Sequence, residues 1–177
     1  TSDRFPYWPR RIARGGETLA PAPREHPTQF VDARDLAEWM VGVAQQALTG
    51  PFNATGTPDD LTLGVFLERT RDALAADTHF TWVDEGFLLE RGVRPWTELP
   101  LWVPMSESDF ERLDVRRAVS AGLSFRPVED TVRDTLAWDR ATPRTARPPR
   151  MGLAMPPSLD PARERELLAE WHALAGA

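Results

Sequence analysis

The sequence predicts a mixed α/β fold of short strands and several helices, at least four. Three observations predict it. Leu36, Trp39, Met40, Val43, Ala44, Ala47 and Leu48 recur at i, i+3, i+4, i+7, i+8, i+11 and i+12, one apolar stripe of helical period. Short runs such as Thr-Gln-Phe-Val and His-Phe-Thr-Trp-Val read as strands between Gly and Pro punctuation. At 177 residues, 41% of them hydrophobic, the chain is long enough to bury a core. The folded part is expected over residues 1–138, a proline-rich linker over 139–160 and a terminal helix over 161–177.

The elements follow in order. Residues 1–16 are dense in Arg and aromatics. Pro6 and Pro9 argue against a helix at its start, leaving a short one over 10–14 before Gly15 and Gly16 break it. Residues 17–20 read as a short strand, 21–27 as a proline-punctuated loop and 28–33 as a strand. The striped helix comes next, its stripe expected in the core, with Asp32 or Asp35 as its cap and Gly50-Pro51 as its stop. Residues 52–56 form a short strand running into a turn. Thr62 caps a helix with Leu63, Phe66, Leu67, Thr70 and Leu74 on one face. A strand over 79–83 and a short helix over 84–92 follow. Residues 95–104 are apolar but too proline-rich for a core element. A short helix near Val115 stops at Gly122. The helix over 128–138 turns Val128, Val132 and Leu136 inward. Asp160-Pro161 caps a final helix that displays Leu167, Leu168, Trp171 and Leu174, either as a docking element or folded back on its own body.

Composition excludes several chemistries. There is no Cys, so there is no disulfide, thiol nucleophile or Cys-zinc site, and a cytoplasmic location is compatible. All 21 basic residues are Arg, so no Schiff base, P-loop lysine or Tyr-x-x-x-Lys dyad exists. A net charge of −6 disfavours a nucleic-acid binder. No run is apolar enough to span a membrane. His26, His79 and His172 are too scattered to suggest a metal site, and Asp32 and Asp35 read as helix caps rather than an acid/base pair.

The order of segments is more informative than any one of them. Gln29-Phe30-Val31-Asp32-Ala33-Arg34-Asp35-Leu36-Ala37 resembles the strand, Asp and helix element of the extended short-chain dehydrogenase/reductases, the NAD-dependent epimerase/dehydratase family. Gly50-Pro51-Phe52-Asn53-Ala54-Thr55-Gly56 resembles that family's next strand. Asp114-Val115-Arg116-Arg117-Ala118, with Gly122-Leu123-Ser124-Phe125-Arg126-Pro127, resembles its late helix-Gly-x-x-Pro element, and residues 128–138 its closing helix. The resemblance covers residues 4–138. It implies the C-terminal, substrate-binding part of such an enzyme, lacking most of the Rossmann half. The family's Gly-x-x-Gly-x-x-Gly turn and Tyr-x-x-x-Lys dyad are absent from the chain. NAD or NADP would therefore be bound mainly by that missing N-terminal half, the expected partner. The chain, which begins at Thr1, reads as a fragment or processed product. Alone it is expected to do no chemistry, so no catalytic residue is assigned, and Tyr7 has no Lys to lower its pKa. A homodimer follows by analogy with the family.

The resemblance also points to substrate contacts. Nucleotide-sugar members carry an Arg where Thr28 stands, and a second Arg where residues 101–105 have none. Both losses argue for a less charged carbonyl or alcohol substrate. Trp96, Leu101, Trp102 and Met105 would then supply a more apolar wall, with Arg10, Arg11 or Arg94 as substitute anion contacts. Substrate-binding candidates are Arg4, Phe5, Trp8, Gln29, Phe30, Trp96 and Trp102. For Gln29 and Phe30 the competing reading is a strand residue and a core aromatic. For the two tryptophans it is a cover for the missing half or a neighbouring subunit. A rival of another class is a non-catalytic small-molecule-binding or regulatory module built on the same fold.

Overall fold

A computed structural model describes residues 4–56, 61–142 and 158–176, leaving the side chains of residues 110 and 175 aside. The sheet has two strands, β1 (Gly16–Pro21) and β2 (Thr78–Val83), paired parallel with Gly16 opposite Thr78 and Pro21 opposite Val83. Parallel pairing requires a crossover. Here the crossover contains α2 (Ala33–Gln45) and α3 (Leu63–Ala73). Before the sheet comes α1 (Tyr7–Ile12). After it come α4 (Glu85–Glu90), a 3-10 turn over Met105–Glu111, α5 (Arg116–Ser120), α6 (Val128–Ala141) and α7 (Pro161–Ala175). The mixed α/β class is thus as expected from the sequence.

Several elements depart from expectation. Helix α1 begins at Tyr7, with Pro6 as its N-cap and Pro9 in the first turn. That turn has no intrahelical acceptor for its N–H groups, so proline costs nothing there. Residues 28–33 and 52–56 form no strand. The backbone over 28–32 is irregular because no strand lies beside it. Thr28 N–H bonds to Leu61 O at 2.9 Å and Gln29 N–H to a side chain. The stripe on α2 is mostly not core. Trp39 alone is buried, Leu36 and Val43 are half-buried, and Met40 is 57% exposed. Trp39 belongs to a small satellite cluster with Ala118 and Leu123.

The main core lies elsewhere. Trp8, Ile12, Leu19, Phe66, Leu67, Leu88, Val132 and Leu167 are fully buried in one cluster. The proline-rich stretch over 95–104 joins it, with Leu99, Leu101, Trp102 and Val103 buried, contrary to its reading as a non-core loop. It is compact because Trp96 N–H bonds to Trp102 O at 2.8 Å, with Trp96 and Leu101 both at positive φ. Much of the expected linker, residues 143–157, lies outside the described residues. Leu159, still within the span expected as linker, is buried and donates its N–H to Glu98 O.

Helix α7 folds back. Its Leu167 and Leu168 are buried, and Trp171 packs edge-on against Phe87 at 5.1 Å. A buried ion pair holds it there. Arg11 Nε donates to Glu164 Oε2 at 2.6 Å, while Glu164 Oε1 accepts from Leu19 N–H at 3.1 Å. The guanidinium also donates to the carbonyls of Gly15 and Glu17. A buried pair is stable only when its other hydrogen-bonding capacity is met, as here. Removing one member strands the other. Glu164→Ala should cost about 3–5 kcal/mol in urea-unfolding stability. Met40→Ala, on the exposed side of α2, should stay within about 0.5 kcal/mol in the same measurement.

Candidate functional site

The chain leaving the carboxyl end of β1 builds one wall of a cleft of about 640 Å³. Pro27, Thr28 and Gln29 form that wall. Leu61 and Thr62, at the entry to α3, close one side, and residues 111–116 with Val119 and Ser120 of α5 close the other. In parallel α/β sheets, ligand sites gather beyond the carboxyl ends of strands.

Reciprocal bonds tie the two main walls together. Gln29 N–H donates to Glu111 Oε2 at 2.9 Å. Gln29 Nε2 donates to Leu113 O at 3.0 Å, and Leu113 N–H returns a bond to Gln29 Oε1 at 3.1 Å. Gly56 has φ +73, and a Cβ there would meet Gln29 Nε2 at 2.8 Å. Glycine at position 56 therefore allows the Gln29 side chain to lie where it does.

Glu111 is the unusual group. It is 3% exposed, and its Oε1 is buried with no hydrogen-bond partner among the described residues. The Thr28 hydroxyl is buried in the same condition. It lies close enough to favour the ionised carboxyl, but the two close no bond of full geometry. Burial outweighs this and the Gln29 N–H, and raises the Glu111 pKa to about 7. Among the described residues no ion pair opposes the shift. The cleft's other charges are Glu25 and Arg112, both exposed, and Asp114 with Arg116, which bind each other bidentately. That pairing lowers the Asp114 pKa to about 2. Next to the cleft, His26 is fully buried with Nδ1 2.7 Å from Pro27 O and Nε2 2.8 Å from Val103 O. Burial lowers its pKa, so the neutral ring donates to one carbonyl at a time.

Of the seven candidates from the sequence, Gln29 lines this cleft. The others are brought together as packing. Phe5 stacks on Phe30 at 4.8 Å and on Phe66 at 5.7 Å. The Arg4 guanidinium lies 5.6 Å from the Trp96 ring centroid. Trp8 is fully buried and donates its indole N–H to Pro100 O at 2.6 Å. Trp102 is fully buried by this chain itself, and its indole N–H has no partner among the described residues. The proposed substitute cations are also engaged. Arg10 binds Asp139, Arg11 binds Glu164 and Arg94 binds Glu98. Asp32 caps α2 and accepts from the Arg34 guanidinium and from Thr131, and Arg34 above all holds its carboxyl well below the usual range. Asp35 instead accepts from Arg126 Nε at 2.7 Å. Burial pushes the Tyr7 hydroxyl far above the usual phenol range.

Sequence reasoning missed Glu111. It stands in Ser-Glu-Ser-Asp-Phe-Glu-Arg, which carries the signature of a solvated turn and gives no sign of burial. Among the described residues no group of three or more His, Asp or Glu could hold a metal, and no helix is long and apolar enough to cross a membrane. No family model matches the sequence, and comparison with curated proteins and with solved structures returned no match.

Glu111 also sets a pH dependence of stability. Its pKa is raised from the ordinary 4.5 to about 7, so between those values the folded protein holds a proton that the unfolded chain has released. This contribution is complete below about pH 4.5 and is lost as pH rises through about 7. Relative to Glu111→Gln, the native protein should lose on the order of 2 kcal/mol between about pH 5 and pH 8, read from urea unfolding at each pH.

Proposed function

We propose that this chain is the substrate-binding portion of an NAD(P)-dependent oxidoreductase or epimerase-like reductase, an extended short-chain dehydrogenase/reductase. Its ligand is a small carbonyl or alcohol compound, taken into the cleft of Thr28, Gln29 and Glu111. The observation that carries the reading is the placement of that cleft, against the chain leaving a parallel strand. The ordered motifs quoted above support it. The lining sets apolar Pro27, Leu61, Val115 and Val119 beside polar Thr28, Gln29 and Glu111.

The cofactor's phosphates find no cradle among the residues present. The one glycine pair, Gly15-Gly16, leads into a strand rather than from a strand into a helix. Its N–H groups are already bonded to Ile12 O and Asp77 O. In this proposal NAD(P) is held by a Rossmann half outside the chain, and these residues only bind and orient the ligand. The absence of Lys from the whole sequence favours a second reading, a non-catalytic small-molecule-binding or regulatory module with the same cleft.

The test is a panel of small ketones and alcohols titrated into the 177-residue protein and followed by amide NMR. At least one compound should shift the Thr28, Gln29 and Val115 amides together. NADH and NADPH should neither shift these amides nor be oxidised in the presence of the panel. Turnover by the chain alone, or a panel that leaves the cleft unshifted throughout, would remove the reading.

A further inference from the structure

We propose that Glu111 and Thr28 are the recognition element of the cleft for an acceptor oxygen, a ketone or amide carbonyl, on a small uncharged ligand. This rests on the reading of the cleft as a small-molecule site and names the group that the site reads.

Glu111 Oε1 and Thr28 Oγ1 are buried near one another, neither closing a hydrogen bond of full geometry with a described residue, in side chains that line a cleft large enough for a small ligand. A buried polar atom left unpaired costs free energy that a ligand's complementary group recovers. Gln29 N–H bonds to Oε2, which leaves Oε1 as the oxygen without a partner among the described residues. Oε1 is turned away from solvent. Rotation of the planar carboxyl about the last carbon–carbon bond of Glu, a soft torsion, moves both oxygens together and exchanges the Gln29 N–H bond for one oxygen turned to the void. Protonated Glu111 then donates to a carbonyl oxygen, and the Thr28 hydroxyl supplies a second donor.

The charges around the site argue for an uncharged ligand. Asp114 and Arg116 cancel each other, and Glu25 and Arg112 stand at the rim with opposite signs. Glu111 titrates at about 7 because of its burial, so both of its forms are reached near neutrality. No other group facing it titrates there. Thr28, Gln29, Leu61 and Thr62 are uncharged, Asp114 is held far below that range, and burial keeps His26 neutral above its ordinary value of 6.5.

Cyclohexanone and cyclohexanol share one skeleton and differ in whether the oxygen can donate. Cyclohexanone should shift the Thr28 and Gln29 amides, with an apparent Kd about tenfold weaker at pH 8 than at pH 6, following the protonated fraction of Glu111. Cyclohexanol, whose hydroxyl can donate to the ionised carboxylate, should not weaken over that range. Glu111→Gln, a permanent neutral donor, should bind cyclohexanone equally at both pH values. Thr28→Val should weaken cyclohexanone at both pH values while keeping the pH dependence, and it provides the check should the Gln variant not fold. Cyclohexanone binding that is flat with pH in the native protein, or that shifts amides away from the cleft, or that is undetectable, overturns the proposal. Those outcomes leave open occupancy of the cleft by another ketone or alcohol of the panel, so the broader reading stands or falls by its own experiment.

Discussion

The buried Arg11–Glu164 pair is the constraint on which the architecture depends. It joins α1, the start of β1 and α7, three elements that are far apart in the sequence. Arg11 also donates from its two terminal nitrogens to the Gly15 and Glu17 carbonyls, so the turn into β1 is organised around the guanidinium. Glu164 in turn holds the Leu19 N–H, inside the strand. Burying two charges is costly. The cost is offset only when the third partner, the strand backbone, is already in place. The pair therefore ties the position of the sheet to the position of the terminal helix.

With β1 anchored in this way, the chain leaving it has little freedom. Residues 24–29 run alongside the entry to α3, where Gly64 N–H bonds to Arg24 O and Leu63 N–H to His26 O. A Cβ at position 64 would lie 2.8 Å from that Arg24 carbonyl, so the close approach uses a glycine in an ordinary helical conformation for its lack of a side chain. The cleft wall is thus irregular backbone held by side chains and loop carbonyls, with no strand to pair it. Such a wall can present both an N–H and a hydroxyl to a neighbouring carboxyl. A paired strand would have spent the N–H on its neighbour.

Helix periodicity and capping were legible in the sequence. Thr62 and Asp160 cap their helices as side chains of those types do at helix starts, and Leu63, Phe66 and Leu67 face the core at helical spacing. The α2 stripe shows the limit of the same reasoning. Its period is correct, but a period tells which residues share a face and not whether anything covers that face. The candidate site was less legible. Gln29 was found through its place in a motif. Phe5, Trp8 and Phe30 were placed by the same resemblance and Trp102 as a tryptophan in a proline-rich loop, and aromatic side chains in such places serve a core equally well.

Composition and pattern alone determined the mixed α/β class, most helix starts, and the absence of any thiol or lysine chemistry. These follow from residue identity and from interactions a few positions apart, which a chain carries wherever it folds. The tertiary structure decided the parallel pairing of β1 with β2, the burial of the proline-rich stretch over 95–104, the return of α7 and the unusual state of Glu111. Each of these depends on contacts between distant segments. The acidity of Glu111 in particular is set by how much water and how many donors the fold leaves beside it, and its neighbours in the sequence carry no record of that.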